Sequence, residues 1–138
     1  MERNKLCVGV NALVVRDNKI LLGKRKGGFG DGSWGLPGGH LEFKENIQKA
    51  VARELFEETG MECESFIFSN VFNDTLDKDH YIQFSFIAEN PRGEPILKEP
   101  DRCSEWKWFD LNNLPDNITK PHRPNIESLQ TKNIFTDC

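Results

Sequence analysis

The chain has no CxxC pair. Its four cysteines, Cys7, Cys63, Cys103 and Cys138, are scattered, with neither a metal-ligand spacing nor a disulfide framework. With no signal peptide ahead of them, the expectation is reduced thiols in a cytoplasmic protein. No apolar run approaches the roughly 18 residues that a membrane-spanning helix needs, so no membrane partner is expected. An excess of positive charge is also missing. The net charge of −4 argues against broad binding to nucleic acid or to an anionic membrane, while a local basic patch remains free to hold phosphates. Internal repeats and low-complexity tracts are absent. What is present, 37% hydrophobic and 29% charged residues in a chain of 138, fits one domain over residues 1–138. That length can bury a core without staples.

The stretch from Gly39 to Met61, GHLEFKENIQKAVARELFEETGM, organises the rest. It continues the turn Pro37-Gly38-Gly39, and from about Asn46 to Thr59 it contains strong helix formers with no interior Gly or Pro. Asn46 suits the N-cap, and Gly60 suits the left-handed position that ends a helix. Glu54, Glu57 and Glu58 stand at i, i+3 and i+4 and share one face. Ile47, Val51 and Leu55 form a neighbouring apolar stripe. Like charges at these spacings destabilise a helix by roughly 0.2–0.5 kcal/mol per pair. A hard divalent cation, Mg²⁺ above all, would supply the missing counter-charge through carboxylate and carbonyl oxygens. Arg53, four residues before Glu57, is placed to orient a carboxylate. The bland alternative is a solvated acidic helix face.

Spacing separates the two. The run resembles the Nudix box: Gly, five residues, Glu, seven residues, Arg-Glu-apolar, one residue, Glu-Glu, one residue, Gly-apolar. Gly39, Glu45, Arg53-Glu54-Leu55, Glu57-Glu58 and Gly60-Met61 meet it at every position. Average residue usage would produce such a match about once in a billion tries. The resemblance implies hydrolysis of a nucleoside diphosphate linked to another moiety, assisted by Mg²⁺ or Mn²⁺.

Outside the box, Leu6 to Val15 reads as a core strand, Arg16 to Lys19 as a turn, and Ile20 to Gly23 as the start of a returning strand. Lys24, Arg25 and Lys26 come next, either a solvated strand end or a phosphate contact. Gly27, Gly28, Gly30 and Gly32 make the next loop a substrate lid or a long connection. Phe66 to Phe72 and Tyr81 to Ala88 read as a β-hairpin, with Phe68, Phe84 and Phe86 as core aromatics. A charged loop then leads to a short strand with Trp106 and Trp108 on one side. Pro121 and Pro124 interrupt the C-terminal segment, and Asn125 to Lys132 is placed as a short closing helix. This order of elements predicts an α/β/α sandwich around a mixed β-sheet. The resemblance implies the same Nudix-type fold.

PGGHLEF and EPDRCSEWKWFDLNNLP resemble the MutT branch, which includes animal and plant homologues that dismantle oxidised or modified guanine nucleoside triphosphates. That resemblance implies water attack on a phosphorus, giving monophosphate and pyrophosphate. It implies Glu54, Glu57 and Glu58 as metal ligands together with the Gly38 carbonyl, with Glu54 alternatively the base. Arg53 orients the carboxylates, and Glu45 caps or braces the helix start. A loop glutamate completes the metal site or serves as base, Glu99 first and Glu105 second. On the substrate side stand Arg25, Trp34, Gly39 and Asn117. Trp34 is either core or pocket, and Trp34 or Phe29 would stack on a base. The pocket is expected between the β-hairpin and the segment from Leu114 to Lys120. Two departures stand out: Lys44 occupies a place where many relatives have Gly, and no aromatic follows Leu114-Pro115 in the tail. Alternative readings are a hydrolase of ADP-ribose, of another nucleotide conjugate or of a prenyl diphosphate, and a non-catalytic nucleotide-binding module. The last sits poorly with a box that has lost no carboxylate. A homodimer is the expected assembly.

Overall fold

The computed structural model describes residues 4–28, 30–76 and 78–137. The apolar N-terminal run forms β1 (Leu6–Leu13), and the chain turns through β2 (Val15–Arg16) into β3 (Lys19–Arg25). Short strands β4 (Trp34–Gly35) and β5 (Gly38–His40) lead to α1 (Ile47–Thr59). The hairpin is β6 (Ser65–Asp74) with β7 (His80–Glu89), followed by β8 (Cys103–Asp110), α2 (Arg123–Thr131) and β9 (Phe135–Thr136).

The expected mixed sheet is present, in the order β5-β1-β7-β6-β9, with β1 parallel to β7 and β6 antiparallel to it. A second, antiparallel sheet of β2, β3, β4 and β8 faces it, with β3 pairing both β4 and β8. Alternation along the strands divides the core in two. Val10 and Ala12 of β1 join Phe86 and Ala88 of β7 against Ala50, Val51 and Leu55 of α1. Leu13, Ile20, Leu22, Trp34, Leu36 and Ile118 form the other cluster with Ile126 of α2. The helices therefore cover different clusters, as an α/β/α arrangement requires.

The ends of α1 match its sequence. Asn46 accepts from the Lys49 backbone N–H at 3.1 Å, and Gly60 closes the helix at φ 75°. Val51 and Leu55 are each 1% exposed, and burying such side chains contributes about 2 kcal/mol apiece. Packing therefore outweighs the repulsion among the glutamates on the adjoining face.

Two expectations need correction. Phe68 is 44% exposed, although its ring meets Phe84 and Phe86 edge-on. It stands near the start of β6, while α1 packs on β1 and β5 and α2 meets β6 further along, at Asn70. The closing helix begins at Arg123, not Asn125, because Pro124 falls in its first turn, where a missing N–H costs nothing. Cys7, Cys63 and Cys103 are free thiols, and Cys138 lies outside the described residues. Among the described residues no helix is long and apolar enough to cross a membrane.

Candidate active site

Where the two sheets face each other they leave a cavity of about 670 Å³, a size suited to a small-molecule ligand. The mixed sheet contributes Gly9, Asn11, Gly38, Tyr81 and Gln83. The second sheet contributes Gly23, Arg25, Gly35, Cys103 and Trp106. Asp74 and Leu76 from the hairpin close one side, and Thr119 to His122 close another. The cavity thus lies between the hairpin and the end of the Leu114–Lys120 segment.

Arg53 is the centre of the box. Its Nε donates to Glu45 at 2.8 Å and an Nη to the other Glu45 oxygen at 3.0 Å, a two-point clasp. The other Nη donates to Glu54 at 2.8 Å and to Glu57 at 3.4 Å. This clasp raises the Arg53 pKa and holds the Glu45 carboxyl below its usual range. Glu45 braces the helix through Arg53, while Asn46 does the capping. Glu54 sits behind Gly39, where a Cβ would strike its carboxylate. Burial raises the Glu54 pKa against the pull of Arg53.

Glu58 and Glu99 reach the cavity, whereas Glu57 stands half exposed outside it beside Arg53. Glu58 accepts from the Gly38 N–H at 2.7 Å. Burial pushes its pKa up to about 8, assisted by Glu54 and Glu99, and opposed by the Gly38 N–H and Arg25. Glu99 is held in place by a turn in which its carbonyl accepts from the backbone N–H groups of Arg102 and Cys103, each at 2.9 Å. Glu105, the alternative, is exposed on β8 and does not line the cavity.

Among the described residues no three His, Cys, Asp or Glu side chains converge closely enough to hold an ion alone. An oxygen-only set of Glu58 and Glu99, with Glu54 behind the glycine turn and the Gly38 backbone at hand, still fits a hard divalent cation. Magnesium in particular is bound through one or two carboxylates, with water and substrate phosphate completing its shell.

Arg25, from the second sheet, also lines the cavity; it is half-buried, with its Nε buried and unpartnered. Burial lowers the Arg25 pKa, and Glu58 opposes that shift. His122 is 4% exposed, and its Nδ1 accepts from the Leu36 N–H at 2.9 Å. Burial, with Arg25 alongside, depresses the imidazole pKa to about 3, so the ring is neutral.

Two substrate-side expectations fall away from the cavity. Trp34 is 8% exposed in the second core cluster, edge-on to Phe109 at 4.8 Å. Along β4 it is the next residue, Gly35, that faces the cavity. Asn117 is exposed, and its amide donates to the Gly32 carbonyl at 2.9 Å, bracing the Gly-rich loop. Phe29 lies outside the described residues. Arg25 and Gly39 do line the cavity. Asn11, Gln83, Trp106 and His122 were not foreseen there. A signal for the first two was available: Asn11 interrupts an apolar run, and Gln83 occupies a buried phase of its strand.

An ADP-ribose pyrophosphatase of Methanocaldococcus jannaschii is 41% identical over 110 residues, covering 78% of this chain and 64% of that protein. An oxidized purine nucleoside triphosphate hydrolase of Danio rerio is 36% identical over 112 residues, covering 75% and 65%. The matches therefore span less than two thirds of the length of these curated relatives. Among solved structures, a MutT NUDIX hydrolase from Burkholderia pseudomallei superposes with a TM-score of 0.84 at 37% identity, over 90% of this chain and 98% of that one. The NUDIX domain itself matches residues 5–129. Since that match runs from β1 through both sheets into α2, well beyond the box, the chain belongs to the NUDIX domain family.

Proposed function

We propose that this chain is a divalent-cation-dependent pyrophosphohydrolase that splits nucleoside triphosphates, oxidised purine forms included, into monophosphate and pyrophosphate. The observation that carries this reading is the meeting of Glu58 and Glu99 with the half-buried Arg25 in one cavity. Carboxylates and a guanidinium lining the same cavity match a cation-bound polyphosphate chain. The relative named as an oxidized purine nucleoside triphosphate hydrolase supports the substrate class.

When bound, Mg²⁺ or Mn²⁺ neutralises charge on the phosphate oxygens and makes water a stronger nucleophile. Glu58 and the Gly38 carbonyl would hold that ion, with Glu54 and Glu57 kept in register by Arg53. Glu99, whose carboxylate accepts no hydrogen bond from a described residue, takes the proton as the water oxygen bonds to phosphorus. The bridging P–O bond then breaks, and its electron pair leaves with pyrophosphate. Arg25 meets the phosphates, and Trp106, which lines the cavity, takes over the stacking role expected of Trp34.

A second reading, hydrolysis of ADP-ribose, is favoured by the relative of that name. One experiment separates them: catalytic efficiency on dGTP, its oxidised form, dATP, dCTP and ADP-ribose, with and without Mg²⁺. The triphosphates are expected to lead, and activity to vanish with chelator and return with Mg²⁺ or Mn²⁺. Turnover persisting after confirmed metal removal defeats the mechanism, and ADP-ribose leading the series defeats the substrate class.

The proposed partner is a second copy of the chain. Ile67, Phe68, Ile134 and Phe135 leave apolar surface at the β6–β9 edge, each more than 40% exposed. Light scattering at micromolar concentration is expected to give the dimer mass, and a monomer mass throughout removes the assignment.

A further inference from the structure

Asn11 on β1 and Gln83 on β7 form the cavity floor on the mixed sheet and are 2% and 7% exposed. Neither belongs to the box. Their orientation is set by one backbone group. Asn11 Nδ2 lies 3.2 Å from the Phe84 carbonyl, which can only accept, so the amide must present its NH₂ there. The same NH₂ lies 3.1 Å from Gln83, which must therefore turn its Oε1 toward Asn11. Two groups are left over: Oδ1 of Asn11, an acceptor, and the NH₂ of Gln83, a donor. Neither has a partner among the described residues. Gly9 lies directly beneath Gln83, and a Cβ there would collide with the Gln83 carboxamide. The glycine gives that side chain its seat.

Neither Oδ1 of Asn11 nor the NH₂ of Gln83 is sealed from solvent, so both are open to a ligand that enters the cavity. We propose that Asn11 and Gln83 together read the edge of the substrate's heterocycle, accepting an edge that offers an acceptor beside a donor. An edge with two acceptors would set one of them against Asn11 Oδ1 and be refused. This deepens the nucleotide reading above and rests on it.

Hypoxanthine is a clean probe, because O6 and N1–H are its adjacent acceptor and donor, and methylation at N1 removes the donor. Wild type is expected to prefer inosine triphosphate over its N1-methyl derivative by about tenfold in kcat/KM, mainly through KM, the scale of one or two neutral hydrogen bonds. Asn11→Leu, which removes the acceptor that meets N1–H, should bring that ratio close to one. Gln83→Met, which loses only the contact to O6 shared by both substrates, should weaken the hypoxanthine substrate more than ribose 5-triphosphate, which has no base. Gln83→Glu, which keeps an acceptor for Asn11 but loses the donor, should likewise weaken the hypoxanthine substrate against ribose 5-triphosphate. An unchanged ratio in Asn11→Leu, no selective loss for the base-bearing substrate in either Gln83 variant, or a wild-type ratio near one overturns the proposal. If no triphosphate is turned over, calorimetric binding of inosine monophosphate and its N1-methyl derivative reads the same ratio. A tenfold ratio there without turnover defeats the hydrolysis reading alone, and a ratio near one defeats the amide pair.

Discussion

At the scale of single residues, Glu58 is a carboxylate whose surroundings differ sharply from water. Burial holds its pKa up to about 8, against an ordinary carboxyl near 4.5. A folded-state pKa above the unfolded one gives stability that is present below about pH 4.5 and lost as pH rises toward 8. A cation reverses that preference by favouring the ionised form. Apparent affinity for Mg²⁺ is therefore expected to rise with pH up to about 8, by no more than about tenfold per unit, with a proton released on binding. Calorimetry in buffers of different ionisation enthalpy measures that proton, and Glu58→Gln should abolish both effects. Affinity independent of pH between 6 and 8 removes Glu58 from the ligand set.

Elements carry the second kind of constraint. The link from the glycine turn to α1 passes through Lys44, which adopts φ 63°. This is the physical content of the glycine that many relatives carry there, since a residue with a Cβ is disfavoured in the left-handed region by roughly 1–2 kcal/mol. Lys44 is exposed, and its ammonium lies over the Phe43 ring at 5.5 Å, a contact worth about 0.5–1 kcal/mol at an exposed site. Lys44→Gly is thus expected to stabilise the fold by about 0.5–1 kcal/mol, raising Tm by a few degrees. Differential scanning calorimetry decides it, and a lower Tm means that the aromatic contact outweighs the strain.

For the whole molecule, the joint between the two sheets depends on a neutral imidazole. His122 ties the short helical turn Lys120–His122 to Leu36 by accepting the Leu36 N–H, and a protonated Nδ1 cannot accept it. Its pKa, about 3 when folded against 6.5 in the unfolded chain, lets the unfolded state bind more protons between those values. Stability from this group is full above pH 6.5 and lost as pH falls toward 3, by at most about 1.4 kcal/mol per unit. Glu58 acts in the opposite direction over part of that range, so a difference measurement is needed. Urea unfolding of wild type and His122→Asn should show a stability gap that narrows as pH falls from 7 to 5. A gap constant with pH argues that His122 is not buried neutral.

Much of this chain could be read locally. Helix α1, its caps, the Glu54–Glu57–Glu58 face and the hairpin all arise from periodicities of 3.6 and 2 and from the backbone preferences of Asn46 and Gly60, which act within a few residues. The box spacing likewise placed Arg53 within reach of Glu54 and Glu57 before any tertiary contact was known. The cavity is a different kind of object. It exists because β1 pairs in parallel with β7, joining residues 72 apart such as Asn11 and Gln83, and because a second sheet closes over them. Which way Trp34 points depends on the pairing of β4 with β3, and the amide of Asn117 is spent on Gly32 across a gap of 85 residues. The sequence by itself determined the glutamate-bearing helix and the family, because a helix presents its side chains by local geometry. Only the tertiary structure decided what faces the cavity, because its walls are set by long-range pairing that no local pattern encodes.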